Sequence, residues 1–334
     1  MNNFFNQSKE QQITIIEQVV NKTGLYPQII EKDLWVTVIL QIVFSLPFAD
    51  KLVFKGGTSL SKVWNIIERF SEDIDLSIDR KLFDFEGDLT IKQLKKLRKK
   101  SSQFVRDDFC TTLQNAVNQI GIQNFCTIRP EQDGEGIKTY PEPRKIFVHY
   151  RSLFDNLEYM PFEIVLEIGA RSLIEPTAKH TVNSMISEIS GIETTLVNSN
   201  IIVAVPEKTF LEKAFLLHEI FTGTSSMIAD RKSRHLYDLE RMMHEDFAEK
   251  AISDDELWNA IHHHRVLFTR INGVDYTPDI RQRICLIPPR HVLDEWKMDY
   301  ETMQQTMIYG NSLPFGKLLI RMKELQEKFQ QSNR

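Results

Sequence analysis

Apolar positions recur at helical spacing from residue 9 to residue 45. Ile13, Ile16, Val19 and Val20 form one amphipathic stretch, and Leu34, Val36, Val38, Ile39, Ile42 and Val43 form a more fully apolar one. Leu52-Val53-Phe54 is a short apolar run stopped by Gly56-Gly57, the pattern of a buried strand. Thr58-Ser59 then offers an N-cap to a helix carrying Leu60, Val63, Trp64 and Ile67. After Ser71 the period falls to two, so that Asp73, Asp75 and Ser77 face one way and Ile74, Leu76 and Ile78 the other. Residues 91–106 predict a long helix with a thin seam at Leu94 and Leu97, continued by Phe104, Val105, Phe109 and Leu113. Strands are expected at 125–129, 144–150 and 161–168, with loops marked by Asp133-Gly134-Glu135-Gly136 and Pro141-Glu142-Pro143. Residues 172–200 read as loop and helix, 201–205 as a last short strand closed by Pro206, and the remainder as helix with a Pro288-Pro289-Arg290 loop.

This order of elements predicts an α+β fold. A small, mostly antiparallel or mixed sheet is covered by helices and followed by a helical C-terminal domain. The expected division is 1–205, with N-terminal helices over 1–48 and a sheet core with a helical insertion over 49–205, followed by 206–334. The 334 residues, 42% hydrophobic and 26% charged, suit two domains or one large one. No apolar run approaches the length of a membrane span, and the N-terminus has no basic region followed by an apolar core, so a cytoplasmic protein is expected. Cys110, Cys126 and Cys285 are scattered, which fits a reducing compartment and gives no metal spacing. A net charge of −5 argues against wholesale nucleic-acid binding but leaves room for a local patch.

The chemistry concentrates at residues 52–78. Aspartate is depleted in strands, yet Asp73 and Asp75 share one face, one pleat apart. Such like charges stay ionised cheaply beside a cation or in open water. Carboxylate oxygens suit Mg²⁺ (or Mn²⁺), and a glycine pair before a helix lets backbone N–H groups approach a phosphate. Together they point to a metal-plus-triphosphate site; the plain alternative is an edge strand with solvent-facing aspartates.

Gly56-Gly57-Thr58-Ser59 followed by Ser71-Glu72-Asp73-Ile74-Asp75-Leu76 resembles the opening motif of polymerase-β-type nucleotidyltransferases, and more narrowly the AbiEii/AbiGii toxins of type IV toxin–antitoxin and abortive-infection systems. The resemblance extends to Glu31-Lys32-Asp33-Leu34-Trp35-Val36-Thr37, to Leu166-Glu167-Ile168-Gly169-Ala170-Arg171-Ser172, to residues 208–213 and to Arg234-His235-Leu236-Tyr237-Asp238-Leu239. The gap between the glycines and Asp73 is longer than in the shortest such enzymes. The resemblance implies metal-dependent transfer of NMP from an NTP to the 3′ end of tRNA, in a phage-defence system restrained by a cognate antitoxin. The alternatives are nucleotidylation of a protein hydroxyl and a non-catalytic nucleotide-binding module.

Further candidates follow from both sources. Glu163 and Glu167 share a strand face opposite Phe162, Ile164, Leu166 and Ile168, and the resemblance favours Glu167 as the third carboxylate beside Asp73 and Asp75. Arg171 either neutralises phosphate or pairs with a neighbour. Gly56, Gly57, Thr58 and Ser59 are expected to cradle the phosphates. Lys213 lies at the border of the apolar stripe of its helix and is the first candidate for a triphosphate contact, with Lys208 second; Lys208, Glu212 and Glu219 lie on the far side, and a snorkelling surface lysine is the competing reading. Arg234 and Asp238 either form an i,i+4 salt bridge or line the nucleotide cleft across from the sheet. Glu31-Lys32-Asp33 is expected to open its helix, with Lys32 in a surface ion pair or facing the nucleotide. Lys92, Lys95, Lys96, Arg98, Lys99, Lys100 and Arg106 form either a solvated helix face or a rail for RNA phosphates. His262-His263-His264 splays around a helix and cannot converge on one metal.

Overall fold

The alternation at residues 74–78 is a central strand of a seven-stranded mixed sheet, ordered β3-β4-β5-β2-β1-β7-β6. In chain order the strands are β1 (Leu52–Lys55), β2 (Ile74–Ile78), β3 (Cys126–Pro130), β4 (Arg144–Tyr150), β5 (Glu163–Gly169), β6 (Thr177–His180) and β7 (Ile201–Ala204). β2 runs antiparallel to β1 and parallel to β5, β4 is antiparallel to both β3 and β5, and β7 is parallel to β1. The computed structural model describes residues 3–133, 140–155, 161–224 and 227–332. Of the Asp133–Gly136 loop only Asp133 is therefore among the described residues.

The chain divides into two compact units, Met1–Val63 with Glu72–Val203, and Trp64–Ser71 with Ala204–Arg334. The first contains α1 (Lys9–Thr23), α2 (Pro27–Val43), α3 (Gly56–Lys62), α4 (Ile91–Phe104), α5 (Cys110–Ile120) and α6 (Met185–Ser190). Its sheet buries one face through Ile74, Leu76, Ile146, Val148, Ile164, Leu166 and Ile168. α2 covers this face, with Trp35 stacked on Tyr150 at 5.4 Å. α4 and α5, joined through a π-turn at Val105–Phe109, lie behind the same face, where Arg144 donates to the Ser102 carbonyl. The lysines of α4 are exposed, but on the layer opposite the one that carries the aspartates.

Several local expectations change. α3 begins at Gly56, so Thr58 and Ser59 sit inside it rather than capping it. It stops at Lys62, and Asn65 takes a left-handed φ of 53°, so Trp64 and Ile67 leave the helical pattern and join the second unit. α2 begins at Pro27, which places Glu31-Lys32-Asp33 a turn inside it, and Glu31 and Lys32 are buried rather than at the surface. Strand β6 falls in the stretch read as loop and helix.

The second unit contains α7 (Pro206–Thr222), α8 (Arg234–Met242), α9 (Asp246–Ser253), α10 (Asp255–Phe268), α11 (Leu293–Thr306) and α12 (Phe315–Gln331). α7 runs through its middle. Phe215 stacks on Trp258 at 4.4 Å, Phe210 on Phe329 at 5.9 Å, and Phe221 meets Trp296 edge-on at 4.8 Å. The helix is buried almost all round, so Lys208 and Glu219 are inside rather than on an open far side. The Trp64–Ser71 segment is held here by hydrogen bonds from Trp64 to the Ala204 carbonyl and from Phe70 N–H to the Met307 carbonyl. The longer gap before Asp73 is this excursion. His262 meets the Tyr276 carbonyl through Nε2, and His264 stacks on Phe268; the three histidines do not converge.

Candidate active site

Strand register sets one row of charge across the first unit. Lys55 of β1 is paired with Asp75 of β2, Asp75 with Glu167 of β5, and Glu167 with Lys145 of β4. Register partners project from the same face, so Asp75 and Glu167 stand side by side, flanked by a lysine strand on each side. Like charges directly abreast repel. Part of the relief comes from Lys145, whose ammonium lies 2.8 Å from Glu167 Oε1. The hydrogen bond to Glu167, together with the charges of Glu167, Asp73 and Glu131, raises the Lys145 pKa. Lys145 has no place among the sequence candidates; its signal was its parity with Phe147 and His149 in a strand whose other face, Ile146-Val148-Tyr150, is apolar.

Gly56 is fixed by this row. It has a φ of 79°, and a Cβ there would overlap Asp75 Oδ2 and stand 2.8 Å from its Cγ. Only glycine lets the β1–α3 turn approach the carboxylate so closely. Inside α3, Thr58 donates its hydroxyl to the Asp73 carbonyl at 2.5 Å, and Ser59 donates to the Gly56 carbonyl at 2.9 Å. The motif thus ties the glycine turn to the start of the aspartate strand. Gly57 lies beside them at the start of α3.

Lys32 has a structural assignment here. Its buried ammonium pairs with Glu72, next to Asp73, and donates to the Pro161 carbonyl at 3.0 Å. One side chain therefore fastens the leading ends of the two carboxylate strands. Asp33, its neighbour, takes Lys62 of α3 and the Met185 N–H. Glu163 sits two pleats before Glu167 on β5 and pairs with Arg129 at 3.0 Å.

The second unit carries a separate cluster. Asp238 of α8 is fully buried and accepts two hydrogen bonds from Arg69, at 2.7 and 2.8 Å, and lies 2.8 Å from Lys213 Nζ. Burial opposes its charge, yet the two cations hold its carboxyl far below the usual range. Burial lowers the Lys213 pKa against the pull of Asp238, and the same burial, with Lys213 and Arg234 close by, keeps His235 neutral well below its ordinary pKa. The i,i+4 bridge from Arg234 to Asp238 is replaced by Arg69, a partner far away in sequence that no local spacing could reveal. Lys208 is fully buried and forms an i,i+4 ion pair with Glu212 at 3.2 Å.

The family described as nucleotidyl transferase AbiEii toxin, type IV TA system, matches residues 39–331. The chain belongs to the AbiEii toxin family. It is accordingly a nucleotidyltransferase toxin, with an NTP as substrate and an antitoxin as partner. No curated protein matches the sequence. Among solved structures the chain is similar to MenT4, a nucleotidyltransferase toxin from Mycobacterium tuberculosis H37Rv, at 13% identity and a TM-score of 0.47, over 97% of this chain and 98% of that one. Among the described residues, no helix of this AbiEii-family chain is long and apolar enough to cross a membrane.

Proposed function

We propose that this toxin moves the nucleoside monophosphate of an NTP onto the 3′-terminal hydroxyl of a tRNA at the Asp75–Glu167 row. One observation carries the reading: two carboxylates abreast on adjacent parallel strands, beside a turn that only glycine can occupy. A divalent cation, Mg²⁺ or Mn²⁺, fits this pair by donor chemistry, because such ions take one or two carboxylates and complete their shell with phosphate and water. Among the described residues no three His, Cys, Asp or Glu group to hold a metal on their own. Asp75 and Glu167 would hold the ion, with Asp73 just before β2, and it would polarise the transferring phosphate.

The protein groups do the rest. The backbone N–H groups of the Gly56–Ser59 turn take the β- and γ-phosphates. Glu167 orients the attacking hydroxyl and accepts its proton. In the second unit, Lys213 is held by Asp238, and Lys208 is buried beside Glu212. Arg234 adds charge beside Lys213. The family resemblance supports tRNA as acceptor and an antitoxin encoded nearby in a phage-defence role.

The test is incubation with Mg²⁺, each labelled NTP and total RNA. Label on tRNA is expected. Label confined to protein would replace the acceptor with a protein hydroxyl, and absence of label would remove the reading. The Asp73→Asn/Asp75→Asn double variant should lose transfer while keeping its fold; retained transfer would refute the site.

A further inference from the structure

The face that carries Asp75 and Glu167 continues past them. Two residues along β4 from Lys145 lies Phe147, register-paired with Val165 of β5 and with Arg129 of β3. These side chains project from the same face as the carboxylate row. The Arg129 guanidinium sits over the Phe147 ring at 4.4 Å from its centroid, and the Arg129 side chain is 58% exposed. His149 follows on β4 and is exposed. An open sheet strip with an aromatic ring, a guanidinium plane, an imidazole and the Lys145 ammonium thus begins one pleat from Glu167. The catalytic reading does not use it.

We propose that this strip seats the 3′-terminal base of the acceptor strand; the inference rests on the tRNA reading above. Unpaired bases stack on aromatic rings and on arginine planes, and such stacking tolerates any base. Charge on the strip is mixed, since Glu163 partly neutralises Arg129, which favours stacking over phosphate capture. Sheet order fixes the side. The glycine turn adjoins Asp75 through β1, and β4 adjoins Glu167 on the other flank. In-line transfer places the leaving pyrophosphate and the attacking hydroxyl on opposite sides of the phosphorus. With the pyrophosphate at the glycine turn, the hydroxyl arrives from the β4 flank, and the base that bears it lies over Phe147 and Arg129.

The test uses the full chain with a short single-stranded oligoribonucleotide ending in a 3′ hydroxyl and copying the tRNA 3′ end. Phe147→Ala and Arg129→Ala should each raise KM for the RNA about 5- to 150-fold, the range of one lost stacking contact. The effect should fall on KM for RNA rather than on kcat or on KM for NTP. Phe147→Trp should restore affinity, whereas Arg129→Lys, which keeps charge but loses the plane, should not. Fluorescence anisotropy of the labelled oligoribonucleotide without NTP should show the same order. If KM for NTP rises while RNA binding is unchanged, the strip seats the incoming base and the proposal is overturned. Unchanged RNA binding in both alanine variants, in a protein that still labels RNA, overturns the strip and leaves the tRNA reading standing. A wild-type protein that labels only protein overturns both.

Discussion

Gly56→Ala reports directly on the glycine–aspartate contact. The new methyl group would overlap Asp75 Oδ2 and stand 2.8 Å from Cγ, inside the 3.0 Å that real Cβ atoms respect. Either the turn or the carboxylate must retreat. The left-handed φ of 79° alone costs alanine about 1–2 kcal/mol. Forced repacking adds about 1–3 kcal/mol. In an Asp75→Ala background the carboxylate is gone, leaving the backbone term and a 3.1 Å contact with the Cβ of residue 75. A four-protein cycle of wild type, Gly56→Ala, Asp75→Ala and the double variant should therefore give a coupling of about 1–3 kcal/mol. Urea denaturation followed by tryptophan fluorescence measures it. Transfer activity of Gly56→Ala should fall by roughly 100-fold, because a shift of about 1 Å in a catalytic group has that effect. A coupling near zero, or Gly56→Ala activity within threefold of wild type, would show that the turn does not bear on Asp75.

Other residues give independent checks. Arg69→Met leaves Asp238 buried with half its partners gone and should cost about 3–5 kcal/mol; a loss under about 1 kcal/mol in denaturation would mean that Lys213 alone suffices. Burial lowers the His218 pKa from 6.5 to about 4, with Arg283 adding to the effect, and its Nδ1 accepts the Cys285 N–H. The unfolded chain then binds this proton first, so stability falls as pH drops below about 6.5 and the loss levels off below about 4. The loss attributable to this residue is about 2 kcal/mol at pH 5. His218→Asn keeps an acceptor and should flatten the dependence of Tm on pH between 7 and 5; equal slopes would refute the assignment. Lys95→Ala/Lys96→Ala/Lys99→Ala should change KM for RNA by less than about twofold, because α4 lies behind the sheet. A tenfold rise with a shallower salt dependence would reinstate the lysine rail.

Local pattern was enough to determine a good deal of this protein. A period of two at Asp73–Ile78 and at 163–168, helical spacing in α2 and α7, and a glycine pair after an apolar run are short-range signals, and each gave its element. The candidate carboxylates were legible because acidic residues on an otherwise apolar strand conflict with burial. What the tertiary structure alone decided is which residues stand beside them. Register across β1, β2, β5 and β4 set Lys55 and Lys145 in the row with Asp75 and Glu167, and strand pairing is a long-range choice that no spacing encodes. Arg69 reached Asp238 across 169 positions, displacing the local partner Arg234, since a fully buried carboxylate is held by whichever cation the fold can bring bidentate to it. Lys32, read as a surface ion pair or a group facing the nucleotide, is buried on Glu72 and the Pro161 carbonyl, in a helix that begins four residues before Glu31. Local sequence sets which face each element offers; only the assembled fold sets what that face meets.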